Sequence, residues 1–274
     1  MRRSEYRVGL AYVFSTVWIH RFVIGQLSKR AIYTRYRGTM LGFLWSLVTP
    51  IVMLTIYTIV FGLVFNARWE DRGGGNLEFA AILFSGMIVH SVFAECLTRA
   101  PTLIVGNPQY VKKIRFPLET LAWVNLSTAF FQCVISTAIL LGYLVLLGAG
   151  VPWVALLAPV PLLTLLPFCL AVGWLLAAFS VYVKDLAQLT ALMSTILFFM
   201  APILYPRSAL PESLQPLIAL NPITYPIEEF RKLILWGELP NWGGLFFHFF
   251  IGMVCAWCAL AVFQKIRRGF ADVL

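Results

Sequence analysis

Uncharged stretches alternate with short charged connections along this chain, and several are as long as membrane spans. Met40 to Phe65 has no charged side chain, Phe79 to Leu97 carries His90 and ends near Glu95, and Thr120 to Val183 has none over its whole length. A crossing takes about 20 apolar residues, so the third run must hold two spans. Gly148-Ala-Gly-Val-Pro152 is its only turn signal. The pattern predicts six spans, at about 40–65, 79–97, 121–147, 153–181, 186–204 and 242–263. The expected fold is an all-α polytopic membrane protein, one transmembrane domain over 1–274.

Two segments are amphipathic or too short to cross. Leu10 to Leu27 is nearly long enough, but His20 and Arg21 fall close to its middle, where an Arg costs about 2.5 to 3.5 kcal/mol. Residues 9–38 therefore read as a helix in the membrane interface, with Phe14, Trp18 and Phe22 toward lipid. Between the fifth and sixth spans, PESLQPLIALNP and PITYPIEEFRKLILWG read as short helices within 208–237, the second opened by Pro222 and stopped by Gly237. Ile223, Ile227, Phe230 and Ile234 form its apolar stripe, while Glu228 and Lys232 lie four apart on another face. These helices predict a re-entrant or interfacial cap, with the acids Glu228 and Glu229 paired to Arg231 and Lys232.

Composition strengthens this reading: 60% of residues are hydrophobic and 12% charged, against roughly 45 to 50% and 25% in soluble domains. The net charge of +9 then reports orientation more than a nucleic-acid surface. With both termini cytoplasmic, 16 of the 21 Lys and Arg residues fall inside, as the positive-inside rule requires. The N-terminus lacks a small-residue cleavage site, so no removed signal peptide is expected.

Catalytic chemistry is hard to place. Five cysteines in or beside apolar runs describe no disulfide framework, and Cys255-Ala-Trp-Cys258 reads as small apolar residues in a span. His20, His90 and His248 lack ligand spacing; His90 and His248 are expected as neutral imidazoles hydrogen-bonded to neighbouring helices. No Gly-Lys dipeptide exists, so the chain has no phosphate-binding loop of the G-x-x-x-x-G-K-[ST] kind. Any ATP must be bound by another chain.

Two basic segments stand out. Lys29, Arg30, Arg35 and Arg37 crowd into nine residues just before the first span. In GNPQYVKKIRFPLETL, Lys112, Lys113 and Arg115 accompany Tyr110 and Phe116 between two prolines. That compact knob could insert into a soluble partner, or it could be a loop that fixes topology; composition supports both equally.

Three stretches, YTRYRGTMLGFLWSLVTPIVMLTIYTIVFG, NPQYVKKIRFPLETLAWV, and KDLAQLTALMSTILFFMAPILYP with LNPITYPIEEFRKLILWG, together resemble the membrane subunit of type 2 ABC exporters of lipid-linked polysaccharides. That family moves O-antigens, some capsules and teichoic acids across the bacterial inner membrane. The resemblance covers essentially the whole chain. It implies a homodimer with two copies of a separate ATPase, which would bind ATP and Mg, and a pore between the two membrane subunits; this chain itself would carry no cofactor and no enzymatic activity. It further implies that Asn107 to Phe116, with Asn107, Tyr110, Lys112, Lys113, Arg115 and Phe116, is a coupling helix seated in the ATPase, and that the N-terminal helix also touches that subunit. The outer helices between Pro211 and Gly237 match the family's gate helices, with Glu228, Glu229, Phe230 and Arg231 as gate residues.

The implied cargo gives these positions a physical role. A polyprenyl diphosphate has an anionic head, a tail that stays in lipid, and a hydrated glycan that cannot enter lipid. Lys29, Arg30, Arg35 and Arg37 stand where the diphosphate would load, and Arg grips phosphate oxygens in a fork. Sugar C–H faces can slide over aromatic rings, for which Trp45, Phe198, Phe199 and Tyr205 are candidates; packing within helix interfaces would place the same residues equally well. A type 2 exporter of small amphiphiles or drugs is the nearest alternative, and a polytopic glycan-handling enzyme a more distant one.

Overall fold

The computed structural model describes residues 10–64, 76–112 and 116–274, and every regular element among them is helical. Five helical stretches are long and apolar enough to cross a membrane: Gly42–Gly62, Phe79–Arg99, Thr120–Leu146, Trp153–Ser180 and Trp242–Val273. They contain α3 (Trp45–Tyr57), α4 (Asn76–Arg99), α7 (Thr120–Leu146), α8 (Pro159–Ser180) and α12 (Trp242–Ile266). Phe65, Lys113 and Arg115, for which the sequence reading made assignments, lie outside the described residues.

The expected span at 186–204 takes a different form. Its helix, α9 (Leu186–Phe199), has only 14 residues and rises about 21 Å, short of the roughly 30 Å hydrocarbon layer. Pro202 follows its end, and the residue before a proline disfavours the helical conformation. The chain then continues as bends through buried Ala201, Pro202 and Ile203.

Helices α4, α7, α8 and α12 form the core, with Trp174, Leu83, Leu97, Leu140, Leu165 and Leu170 almost wholly enclosed. Small residues set their spacing. A Cβ at Gly173 would meet the Ala122 methyl at 3.2 Å, and one at Gly252 would meet the Phe168 ring at 2.8 Å. Close backbone approach is what holds helices together where lipid is as apolar as the side chains.

Two helices stand apart from this core. Along α3 only Ser46, Pro50 and Leu54 are buried, while Ile51, Val52, Met53 and Ile56 are exposed. Along α9 only Thr190 is buried, and Leu189, Leu192, Met193, Ile196 and Phe199 face outward. After Tyr57 the helix of α3 widens into a π-helical stretch, Thr58–Val64, where the Thr58 and Tyr143 hydroxyls meet at 3.2 Å.

The amphipathic N-terminal segment is two helices, α1 (Leu10–Ile19) and α2 (Arg21–Tyr36), broken at His20. Trp18 and Phe22 are about three-quarters exposed, with the Arg21 guanidinium over both rings. A helix that offers two such rings outward beside a cation has the character of an interfacial helix. Gly38, at φ +85°, supplies the left-handed turn that redirects the chain into α3.

Candidate transport site

At the end of the bundle that carries α2, the four cations of the sequence pattern separate. Arg35 donates to Glu95 Oε1 on α4 at 2.9 Å, and Arg99, one turn further along α4, reaches the same oxygen at 3.2 Å. Thr128 of α7 donates to it as well, at 3.5 Å. Tyr36 donates to Gln132, which donates to the Ser46 carbonyl, so α2, α7 and the start of α3 are stitched together. Lys29 and Arg30 stay exposed, and Arg37 stands at the extended end of α2.

The loop after α4 folds into α5 (Thr102–Val105) and α6 (Pro108–Lys112). Asn107 donates to the Leu103 carbonyl, fixing the junction. Tyr110 stacks on Phe116 with centroids 4.3 Å apart and planes 11° from parallel. The return strand of this loop is anchored from the far end of the chain. Arg267, just after α12, donates to Glu119 Oε2 at 2.8 Å and to the Phe116 carbonyl at 2.7 Å. Trp174 of α8 donates to the Glu119 carbonyl. Lys112 is exposed; the α6 segment thus presents a cation on a base held by α8 and α12.

The aromatic candidates do not form one group. Trp45 stands at the start of α3, partly exposed. Phe198, Phe199 and Tyr205 gather at the end of α9: Phe198 meets Phe199 edge-on at 5.1 Å, and the Tyr205 hydroxyl donates to the Phe199 carbonyl. Phe198 also lies edge-on to His90 at 5.3 Å, and His90 Nε2 donates to the Ser194 carbonyl. His248 of α12 likewise donates through Nε2 to the Pro222 carbonyl at 2.9 Å, with Thr164 Oγ1 at 3.1 Å from Nδ1. Both intramembrane histidines therefore bridge to neighbouring segments.

The helices between α9 and α12 correct the expected ion pairs. They are α10 (Gln215–Ala219) and α11 (Thr224–Arg231), the latter prolonged by a π-helical turn, Lys232–Trp236, and ended by Gly237 at φ +66°. Glu229 does pair with Lys232, at 2.6 Å, and its other oxygen accepts from the Asn241 backbone at 2.9 Å. Glu228 makes no salt bridge with either cation. Burial pushes its carboxyl above the ordinary carboxylate range, against the pull of Arg207, Lys232 and Arg231.

Arg231 was expected to pair with the neighbouring acids and is instead 2% exposed. Its guanidinium donates to the Ile82 carbonyl at 3.1 Å, to Ser85 Oγ at 3.3 Å, and to the carbonyls of Pro202 and Ile203. The last two lie just beyond the carboxyl end of α9, where helix carbonyls carry partial negative charge. A planar fork with five donors can satisfy such a set; a lysine cannot. Space for it comes from Gly86, where a Cβ would lie 2.7 Å from Arg231 Nη2.

This arrangement of membrane-length helices, an N-terminal helix pair and short helices before α12 can be compared with known proteins. A sequence model of the family described as ABC-2 type transporter matches residues 23–235. The chain belongs to that family. An O-antigen export system permease protein, RfbA, of Myxococcus xanthus is 28% identical over 255 residues, covering 92% of this chain and 95% of that protein. RfbA of Klebsiella pneumoniae is 24% identical over 272 residues, with 98% of both chains covered. The polysialic acid transport protein KpsM of Escherichia coli is 20% identical over 254 residues, covering 90% of this chain and 94% of its own.

In this ABC-2 transporter the structure adds residues that the sequence pattern passed over. Glu95 and Arg99 complete the Arg35 cluster, Glu119 and Arg267 hold the α6 loop, and Ser85 and Gly86 receive Arg231. Glu95 and Glu119 did carry a signal, since each is an acid at the edge of an apolar run and such groups are costly there unless paired. The pairings themselves had none, since Arg35 and Arg267 stand 60 and 148 positions from their acids.

Proposed function

We propose that this chain is the membrane subunit of an ATP-driven exporter of polyprenyl-diphosphate-linked polysaccharide, O-antigen being the leading candidate, in a bacterial inner membrane. The observation that carries the reading is similarity over nearly the entire chain to permeases named for O-antigen export. In this reading α9, packed on α4 and α8, and the buried bends after it act as a sixth, shortened crossing, and both termini are cytoplasmic. The exposed apolar faces of α3 and α9 meet their counterparts in a second copy and border the path of the glycan.

Each site has a part in the cycle. The basic end of α2 receives the diphosphate, with Lys29, Arg30 and Arg37 available and Arg35 shared with Glu95. Segment 107–116 seats in a separate ATPase, present in two copies, and Arg267 holds the base of that segment to α12 so that displacement reaches the bundle. Trp45, Phe198, Phe199 and Tyr205 offer weak stacking surfaces, and α10 with α11 caps the outer side. ATP and Mg belong to the partner.

Purified complex should hydrolyse ATP faster when lipid-linked glycans are added to its nanodiscs. Stimulation by cationic drugs with indifference to every lipid-linked glycan would instead make this chain a small-molecule exporter.

A further inference from the structure

A cavity of about 320 Å³ opens between α2, the α5–α6 loop and α7. Two arginines line it, Arg30 from α2 and Arg99 from the end of α4, and no carboxylate does. Thr34, Asn107, Gln109 and Asn125 add polar groups to the same wall. Arg99 is partly occupied by Glu95, which does not line the cavity but is held at its edge by Arg99 and Thr128, whereas Arg30 makes no hydrogen bond or ion pair with any described residue. Asn125 is 5% exposed and donates to the Cys96 carbonyl.

A recess with two cations, one of them unpaired among the described residues, several neutral hydrogen-bonding groups and no carboxylate among its described lining residues attracts an anion. Its volume corresponds to about ten water-sized groups, room for one diphosphate. Its position also selects among anions. The exposed Trp18 and Phe22 place the α1–α2 pair at headgroup depth, so the anion that arrives there is carried by a lipid.

We propose that this cavity is a phosphate- or diphosphate-binding site, with Arg30 as its free cation and Arg99 as its second, and that an occupant touches the coupling segment directly through Asn107 and Gln109. This deepens the proposed export function and rests on it for the identity of the lipid. The consequence is specific: loading is reported to the segment that meets the ATPase without passing through the membrane spans. Lys29 and Arg37 do not line the cavity, so among the four cations before the first span Arg30 is set apart.

The test uses the full chain in nanodiscs of zwitterionic lipid, titrated calorimetrically with farnesyl diphosphate, inorganic pyrophosphate and farnesol. Farnesyl diphosphate should bind, farnesol should not, and Arg30→Gln should weaken binding by about tenfold, the loss expected when one charge-assisted hydrogen bond goes. Lys184→Gln, which removes an exposed cation away from the cavity, should change it by less than about twofold. Pyrophosphate binding with the same Arg30 dependence would support the site and show that the anion suffices; binding of farnesyl diphosphate alone would support it with the lipid as the source. Equal binding of farnesol, no binding of either diphosphate, or equal effects of Arg30→Gln and Lys184→Gln would overturn it. In a complex that exports glycan, diphosphate binding indifferent to Arg30 refutes the cavity alone; Arg30-dependent binding in a complex that exports none refutes the export reading alone.

Discussion

Arginine is held in opposite ways at the two ends of α4. Near its carboxyl end Arg35 and Arg99 share one oxygen of Glu95, with side chains 32% and 42% exposed. Ten residues earlier on the same helix, about 15 Å away, Ser85 and the Ile82 carbonyl receive the fully enclosed Arg231. The first arrangement is reversible: a carboxylate in partial contact with water can exchange its cations for another anion at small cost. The second is structural, because a guanidinium out of water stays only while all its acceptors remain in place. One end is built to respond and the other to hold.

The largest effect should come from the enclosed arginine. Arg231→Leu leaves four acceptors without their donor and should lower stability by about 3 kcal/mol or more, seen as a large drop in thermal unfolding temperature or loss of the folded protein. Arg231→Lys should fail nearly as badly, and Gly86→Ala should be the milder disruption of the same site. If Arg231→Leu unfolds like the parent, the comparison between the two ends collapses.

Next in size is the brace beneath segment 107–116, the proposed coupling segment. Arg267→Gln breaks contacts to Glu119 and Phe116 while leaving Lys112 in place. Glycan export should fall several-fold more than ATP hydrolysis does, and exchanging the two charges, Glu119→Arg with Arg267→Glu, should restore part of it. Charge reversal at Lys112 should reduce export while subunit assembly survives; unchanged export would remove the cation from the docking role.

The exposed cluster should matter least to stability and most to regulation. Arg35→Gln should cost under about 1 kcal/mol of stability, yet weaken glycan-stimulated hydrolysis more than basal hydrolysis. Equal loss of both would make Arg35 a structural anchor like Arg231. The smallest effect belongs to Glu228. Its carboxyl titrates above the usual range because burial disfavours the charged form, so the native state holds its proton at pH values where the unfolded chain has lost it. Stability from this group is therefore highest in acid and declines as pH rises through the raised pKa. Glu228→Gln should modestly raise the unfolding temperature at neutral pH, a gain that shrinks toward pH 4.

How much of this was readable beforehand divides along physical lines. The five long helices, the loop at Gly148, the stop at Gly237 and the outward aromatics of α1 and α2 follow from local chemistry: uncharged length, a left-handed glycine, amphipathic spacing. The break at His20 and the end of α9 at Phe199 were less plain, because each depends on where packing lets a helix stop. Arg231 was misjudged for a reason that generalises. Its sequence neighbours Glu228, Glu229 and Lys232 invite local pairing, and only tertiary structure brings the carbonyls beyond α9 and the space at Gly86 to it. The family resemblance pointed to segments 107–116 and 208–237, but what anchors them lies far off in sequence: Arg267 for the first, and Ile82 and Ser85, which receive Arg231, for the second.

The central claim is transport of a lipid-linked glycan, and vectorial movement tests it most directly. Proteoliposomes holding the permease with its ATPase, oriented with the ATPase outside, would be loaded with a polyprenyl-diphosphate glycan in the outer leaflet and given ATP. The account predicts time-dependent protection of the glycan from an added glycosidase, abolished without ATP and slowed by Arg30→Gln and Arg267→Gln. Glycan that stays fully accessible while ATP is hydrolysed would contradict it.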